Sequence, residues 1–316
     1  MLSLCSRREH IFHAVLILIN MVVYTSKWKG LPASWRNNVT ATFKTAANQT
    51  VDVNGVGFTF RELGPKGGVP LIFLHHLTAV LDDWDPRVVD GLAKQHHVVT
   101  FDNRGVGASK GVTPGSVEEM ARDAAAFIAA LGFAKVDLLG FSLGGFVSQA
   151  LALQRPDLVR KIMLTGTGPA GGEGIVKVDG LLPDAFAKAA AANKHPKHLL
   201  FFTQTPSGQA AADDFLQRLK ERTEALDTPV SDATVQAQLT AIRAWGQGDA
   251  SALASVKQPV FVANGDRDVM VPSINSFELL RRLPNARLSI FPDAGHGGIF
   301  QYHDTFVQQA LTFLQE

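Results

Sequence analysis

Five residues, Gly140-Phe141-Ser142-Leu143-Gly144, constrain this chain more than any other stretch. The apolar run Val136-Asp137-Leu138-Leu139 leads into them, and apolar positions at helical spacing follow: Phe146, Val147, Ala150, Leu151 and Leu153. A strand therefore passes into a helix across a turn too sharp for bulky flanking residues, so both flanks are glycine. Such a turn holds Ser142 at the strand tip with its hydroxyl exposed. It also aims the Leu143 N–H, at the helix N-terminus, toward any oxyanion formed nearby. A glycine-rich strand–helix turn with an ordinary serine would spell the same five letters. The reading turns on whether an acid and a base follow at matching strand ends.

Two further apolar runs supply them. Val260-Phe261-Val262-Ala263 reads as a buried strand ending in Asn264-Gly265-Asp266-Arg267-Asp268, with Pro272 beyond. Ala286-Arg287-Leu288-Ser289-Ile290-Phe291 reads as another, ending in Asp293-Ala294-Gly295-His296. The chain order is Ser142, Asp268, His296. A serine hydroxyl is a poor nucleophile at neutral pH and needs a base. His296 can take its proton and return it to a leaving group, while Asp268 fixes the imidazole tautomer and stabilises the imidazolium.

These segments resemble the α/β-hydrolase superfamily over roughly residues 50–316, in its branch of small cofactor-free esterases, lactonases, carbon–carbon bond hydrolases and perhydrolases. Leu71-Ile72-Phe73-Leu74-His75-His76, Asp83-Trp84-Asp85 and Thr100-Phe101-Asp102-Asn103-Arg104-Gly105-Val106-Gly107-Ala108-Ser109 complete the set. The resemblance implies an oxyanion hole of two backbone N–H groups, from Leu77 and Leu143. The spacing from Gly265 through Asp268 to Pro272 resembles the family's acid turn, which favours Asp268 over Asp266. In one respect the chain departs from the pattern: His76 stands where family members usually carry glycine.

Composition fits a catalytic α/β domain. The 316 residues are 46% hydrophobic and 19% charged, with a formal net charge of +1, so no field draws nucleic acid. No phosphate-binding glycine loop follows a strand, and no cofactor or metal is expected. Cys5 is the single cysteine, which excludes an intrachain disulfide and cysteine-based zinc sites. The expected partner is a small-molecule substrate, and composition does not set the oligomeric state.

Residues 1–45 stand apart from the catalytic pattern as an N-terminal extension. Arg7 and Arg8 precede an apolar stretch from Ile11 to Tyr24 that His13 and Asn20 interrupt. It reads as a signal peptide without a good cleavage site, as a membrane anchor shorter than the roughly 18 apolar residues a span needs, or as an extension with neither role. A cytoplasmic protein is expected, with export or anchoring through residues 11–24 as the alternative. Asn38 and Asn48 open glycosylation sequons that matter only on a secretory route.

From residue 50 the punctuation is regular. A hairpin is predicted around Asn54-Gly55, then strands at 70–76, 97–102, 135–141 and 161–166, with helices near 85–94, 116–131 and up to 154. The alternation implies an α/β fold: a mostly parallel sheet with helices on both faces, built from residues 50–172 and 257–316. Residues 173–256 break the rhythm with helical patterns near 183–192, 209–224 and 231–246, and read as a helical lid over the strand ends. Phe201, Phe202, Leu216 and Trp245 within it fit a lid core better than substrate contacts. Among other polar residues, Asp102 with Arg104 reads as a turn brace, and His75, His76, His96, His97 and His303 as structural or surface residues. A carboxylic ester or lactone hydrolase follows. Carbon–carbon cleavage, perhydrolysis and a non-enzymatic binder are the alternatives.

Overall fold

The computed structural model describes residues 41–316. The readings of the apolar segment 11–24 and of Asn38 fall outside it. No helix among the described residues is long and apolar enough to cross a membrane.

Eight strands form one sheet: β1 (Gln49–Val53), β2 (Val56–Leu63), β3 (Leu71–Leu74), β4 (Val98–Phe101), β5 (Val136–Phe141), β6 (Val159–Thr165), β7 (Val260–Gly265) and β8 (Ala286–Phe291). Their spatial order is β1-β2-β4-β3-β5-β6-β7-β8. The β1–β2 and β2–β4 pairs are antiparallel, and every other pair is parallel. Among the described residues ten helices accompany them: α1 (Pro86–Ala93), α2 (Val117–Ala130), α3 (Leu143–Gln154), α4 (Val178–Ala191), α5 (Lys197–Leu200), α6 (Pro206–Leu219), α7 (Asp232–Gly246), α8 (Ile274–Arg282), α9 (Gly298–Gln301) and α10 (His303–Gln315).

Local chemistry explains most boundaries. Asn54 and Gly55 take φ of 54° and 84°, the pair of positive values a two-residue hairpin turn requires, and Asp52 Oδ1 accepts the Gly55 N–H. Ser116 caps α2 by accepting the Glu119 N–H, and Gly132, at φ 77°, follows its end. Strands β3, β4 and β5 are buried along their whole length, which explains why apolar residues fill them apart from Thr100 and Asp137.

Three segments differ from the sequence reading. Helix α4 begins at Val178 rather than near Pro183, and the proline lies inside it. A short 3-10 turn over Ile175–Lys177 leads into it, so the helix is under way before Pro183. Helices α8 and α10 have no counterpart in the sequence reading. Both are amphipathic and follow loops whose functional motifs dominate the local pattern. Asp102 and Arg104 bond separately around the turn after β4: Asp102 Oδ1 accepts the Leu81 N–H and its carbonyl accepts from Ser109 Oγ, while the Arg104 guanidinium pairs with Glu119 and Asp123 of α2.

The chain entering the sheet is tied down before β1. Phe43 and Ala46 are buried, and the Arg222 guanidinium donates to the carbonyls of Phe43, Lys44 and Ala46. Asn48 engages both sides: its side-chain oxygen accepts from Arg61, and its amide donates to the Ala225 carbonyl. The helices between β6 and β7 pack on the rest of the fold through α6, against α1 and α9, and through α7, against α2. Arg218 on α6 grips both oxygens of the fully buried Asp85 and donates to the Phe300 carbonyl.

Candidate active site

The C-terminal ends of β5, β7 and β8 bring the three predicted residues to one side of the sheet. Ser142 directly follows β5 with φ 56° and ψ −117°, a conformation that side chains other than glycine rarely adopt and that packing must enforce. The enforcement is visible. A Cβ on Gly144 would collide with the Leu74 backbone, and one on Gly140 with the Gly144 carbonyl and Ser148 Oγ. One on Gly145 would come within 2.5 Å of the Thr167 side chain. Thr167 Oγ1 in turn donates to the Ser142 carbonyl at 2.8 Å. The turn is thus wedged between β3 and the loop after β6.

Asp268 and His296 form a closed pair. Asp268 Oδ2 meets His296 Nδ1 at 2.8 Å, while Oδ1 accepts the N–H groups of Met270 and Val271 at 2.8 and 2.9 Å. The carboxylate is therefore fixed in orientation, and it holds the Nδ1–H tautomer that leaves Nε2 free as a base. Both side chains are buried. Gly265 lets the end of β7 approach the Ala294-Gly295 backbone so closely that no side chain would fit between them. Asp266 instead accepts the Ala294 N–H, and Asp293 binds Thr205 and Ser207. Neither reaches His296. The His296 ring lies against Phe141, the residue before the serine, with ring centroids 4.9 Å apart. Among the described residues the Ser142 hydroxyl has no hydrogen-bond partner, an open geometry common in unliganded sites.

The two predicted oxyanion donors are both free. Neither the Leu77 nor the Leu143 N–H has a protein acceptor among the described residues, although both residues are buried. The loop carrying Leu77 is unusual because His76 is there. Its Nδ1 meets the Leu77 carbonyl at 2.8 Å, and its ring packs edge-on against Phe141 and Phe201. Burial, with the Lys197 ammonium adding to it, pushes the His76 pKa down to about 3, so the imidazole is neutral.

Of the residues that the helical insertion contributes, sequence reasoning read Phe201 as lid core and missed Lys197 and Gln238. Phe201 covers the site: its ring lies 5.3 Å from that of His296, and its carbonyl accepts the Gly297 N–H. Lys197 lies over the Phe201 and Phe215 rings and pairs with Asp83. Burial alone would raise the Asp83 carboxyl, but the Lys197 ammonium outweighs it and holds the pKa at about 2. Gln238 on α7 accepts the Thr78 N–H. Only contacts across long stretches of chain identify Lys197 and Gln238. Phe202 packs on Phe215, and Trp245 stacks on Phe146, both away from His296. Half-buried Leu216 packs against the core.

A second polar cluster lies beside the loop that carries Leu77. His75 Nε2 is 3.5 Å from Asp102 Oδ1, and the Leu81 N–H reaches both Asp102 Oδ1 and Asp227 Oδ2. Burial drives His75 down to about 4, and burial followed by the Asp227 carboxyl raises Asp102 well above the usual carboxylate range. With the His75 imidazole neutral, the contact is not an ion pair. His97 bonds Glu62, and His303 lies at the start of α10 beside Asp304. Among the described residues no group of three or more His, Cys, Asp or Glu side chains is arranged to hold a metal.

Residues 69–301 match a family model described as the alpha/beta hydrolase fold. Among solved structures, an alpha/beta hydrolase fold protein from Chitinophaga pinensis is similar, with 41% identity and a TM-score of 0.81 over 87% of this chain and 99% of that one. A non-heme haloperoxidase of Rhodococcus erythropolis is 28% identical over 83% of this chain and 97% of its own. A non-heme chloroperoxidase of Streptomyces lividans is 26% identical over the same shares.

Proposed function

The chain belongs to the α/β-hydrolase family, and from that premise we propose that it is a serine hydrolase of small carboxylic esters or lactones, working through an acyl-enzyme. The observation that carries the reading is the forced backbone of Ser142 beside the buried His296–Asp268 pair. A conformation this costly, of order 1–3 kcal/mol, persists at a position where it does something for the reaction.

The chemistry follows from the atoms. Ser142 Oγ attacks the substrate carbonyl carbon as His296 Nε2 takes its proton. Asp268, held by two backbone N–H groups, steadies the imidazolium without taking that proton. The N–H groups of Leu77 and Leu143 receive the oxyanion. Collapse expels the alcohol, which leaves with the proton from His296. A water molecule, activated by the same nitrogen, then splits the acyl-enzyme to acid and free serine. Phe141, Phe201 and Phe300 make the surroundings of His296 apolar, which suits an acyl group and strengthens each charge interaction. In this reading the helical insertion over 173–256 is the lid.

One observation favours a second reading. Relatives matched over nearly their whole length are named haloperoxidases. The same acyl-enzyme would then be split by hydrogen peroxide instead of water, giving a peracid that oxidises halide. The two readings share every residue above.

A fluorophosphonate probe tests both at once. Wild type is expected to be labelled and to hydrolyse p-nitrophenyl acyl esters. Ser142→Ala is expected to lose labelling and about four or more powers of ten in turnover. Near-normal turnover by Ser142→Ala would overturn the proposal. Peroxide-dependent halide oxidation by the wild type would select the second reading.

A further inference from the structure

Two peptide planes decide where the Leu77 N–H points. The His76–Leu77 plane has its carbonyl tied to the Ala79 N–H at 3.2 Å. In a trans peptide the N–H points the opposite way, so the Leu77 donor is turned out of the loop. The Leu77–Thr78 plane is held at both ends. Its carbonyl oxygen accepts from His76 Nδ1 at 2.8 Å, and its N–H donates to Gln238 Oε1 at 2.8 Å. Thr78 is bent into the left-handed region at φ 63°, unfavourable for a β-branched residue, so something must hold it there. Gln238 is 1% exposed and His76 is 5% exposed, so water does not compete for either bond.

We propose that His76 and Gln238 are positioning residues of the oxyanion hole, clamping the Leu77–Thr78 peptide so that the Leu77 N–H faces the reacting carbonyl. The inference rests on the serine-hydrolase reading and deepens it. Glycine at position 76 would have no side chain to reach the Leu77 carbonyl, so the histidine has a task that the glycine of the family pattern cannot perform. For Nδ1 to donate, the ring must be the neutral Nδ1–H tautomer, with Nε2 left as a buried lone pair without a partner. The second jaw comes from α7, in the insertion between β6 and β7. The hole is therefore complete only while α7 is seated on the loop.

The test uses the full chain with Gln238→Leu, Gln238→Glu and His76→Leu, alongside Ser142→Ala. The leucine variants keep apolar bulk and remove one bond each, and Gln238→Glu keeps an acceptor at the same reach. Removing an oxyanion donor costs roughly 100- to 1,000-fold, so misaiming one should cost about 10- to 100-fold in kcat. KM for a p-nitrophenyl ester should stay within about threefold. Affinity for a trifluoromethyl ketone, which forms the tetrahedral adduct on the serine, should fall in step with kcat. Gln238→Glu should recover most of the loss. A folded Gln238→Leu, or a folded His76→Leu should Gln238→Leu not fold, that keeps wild-type kcat overturns the clamp. A rise in KM at unchanged kcat overturns it as well. Turnover that survives Ser142→Ala overturns the serine-hydrolase reading and the clamp together. Turnover abolished by Ser142→Ala yet indifferent to the clamp variants overturns the clamp alone.

Discussion

A Cβ on Gly144 would meet the carbonyl of Leu74 and approach that of His75 to 2.9 Å, and backbone cannot swing aside as a side chain can. Gly144→Ala should therefore cost about 3 kcal/mol or prevent folding, read as a lower urea midpoint or loss of soluble protein. Loss of less than about 1 kcal/mol would mean that β3 and the elbow are less tightly wedged than described. Sequence alone gave access to Ser142, Asp268 and His296 because each is framed by its own neighbours: glycines on either side of the serine, a glycine three residues before the aspartate, a glycine just before the histidine. The clamp residues carry no such frame. His76 acts through a ring nitrogen aimed at the next residue's carbonyl, and Gln238 is an ordinary glutamine in a helix 160 residues from Thr78. Nothing local distinguishes Gln238 from a surface residue, and His76 stands out only as a departure from the family's usual glycine.

At the scale of elements, the insertion is fastened to the sheet domain by buried charge. Arg218 of α6 meets both oxygens of Asp85, which also caps α1 by accepting the Arg87 N–H. Asp85 is fully buried, so its charge has no access to water when the guanidinium is removed. Arg218→Ala should cost roughly 3–5 kcal/mol, seen in the denaturant midpoint, and should make the 173–256 segment cut sooner by protease. An unchanged midpoint would mean that water or another cation replaces the arginine. Part of the alternation of strands and helices was legible because β3 and the first half of β7 are apolar runs and α1 and α2 begin at the capping residues Asp85 and Ser116. The insertion was harder to read. Pro183 imitates a helix start, and the pairing of α6 with α1 depends on contacts about 130 residues apart.

For the whole molecule, three buried groups set the response to pH. His75 and His76 are neutral in the fold, with pKa values lowered from 6.5 to about 4 and about 3. Their contribution to stability is complete above about pH 6.5 and is lost as pH falls toward those folded values, because the unfolded chain takes up protons the fold refuses. Asp102 has the opposite sign. Its folded pKa is raised, so its contribution is complete below the unfolded value of 3.8 and declines as pH rises from there toward the folded one. Thermal unfolding followed between pH 4 and 9 reads the two opposed contributions together. Asp102→Asn, which cannot ionise beside Asp227, should remove the decline that begins above pH 3.8 and leave the histidine dependence in place. A pH profile unchanged in Asp102→Asn would remove Asp102 as a source of that decline.

Sheet order and chain order together carry a consequence in time. The strands on both sides of β5 that wedge Ser142, namely β3 and β6, are synthesised by residue 165. The Gln238 jaw follows some seventy residues later, and Asp268 and His296 come only with the last fifth of the chain. A nascent chain on the ribosome can thus fold the elbow while the proposed acid and base are still untranslated. Such a chain presents a shaped serine with no base to activate it. On the proposed reading, the nucleophile is shaped early and its base and acid are supplied last.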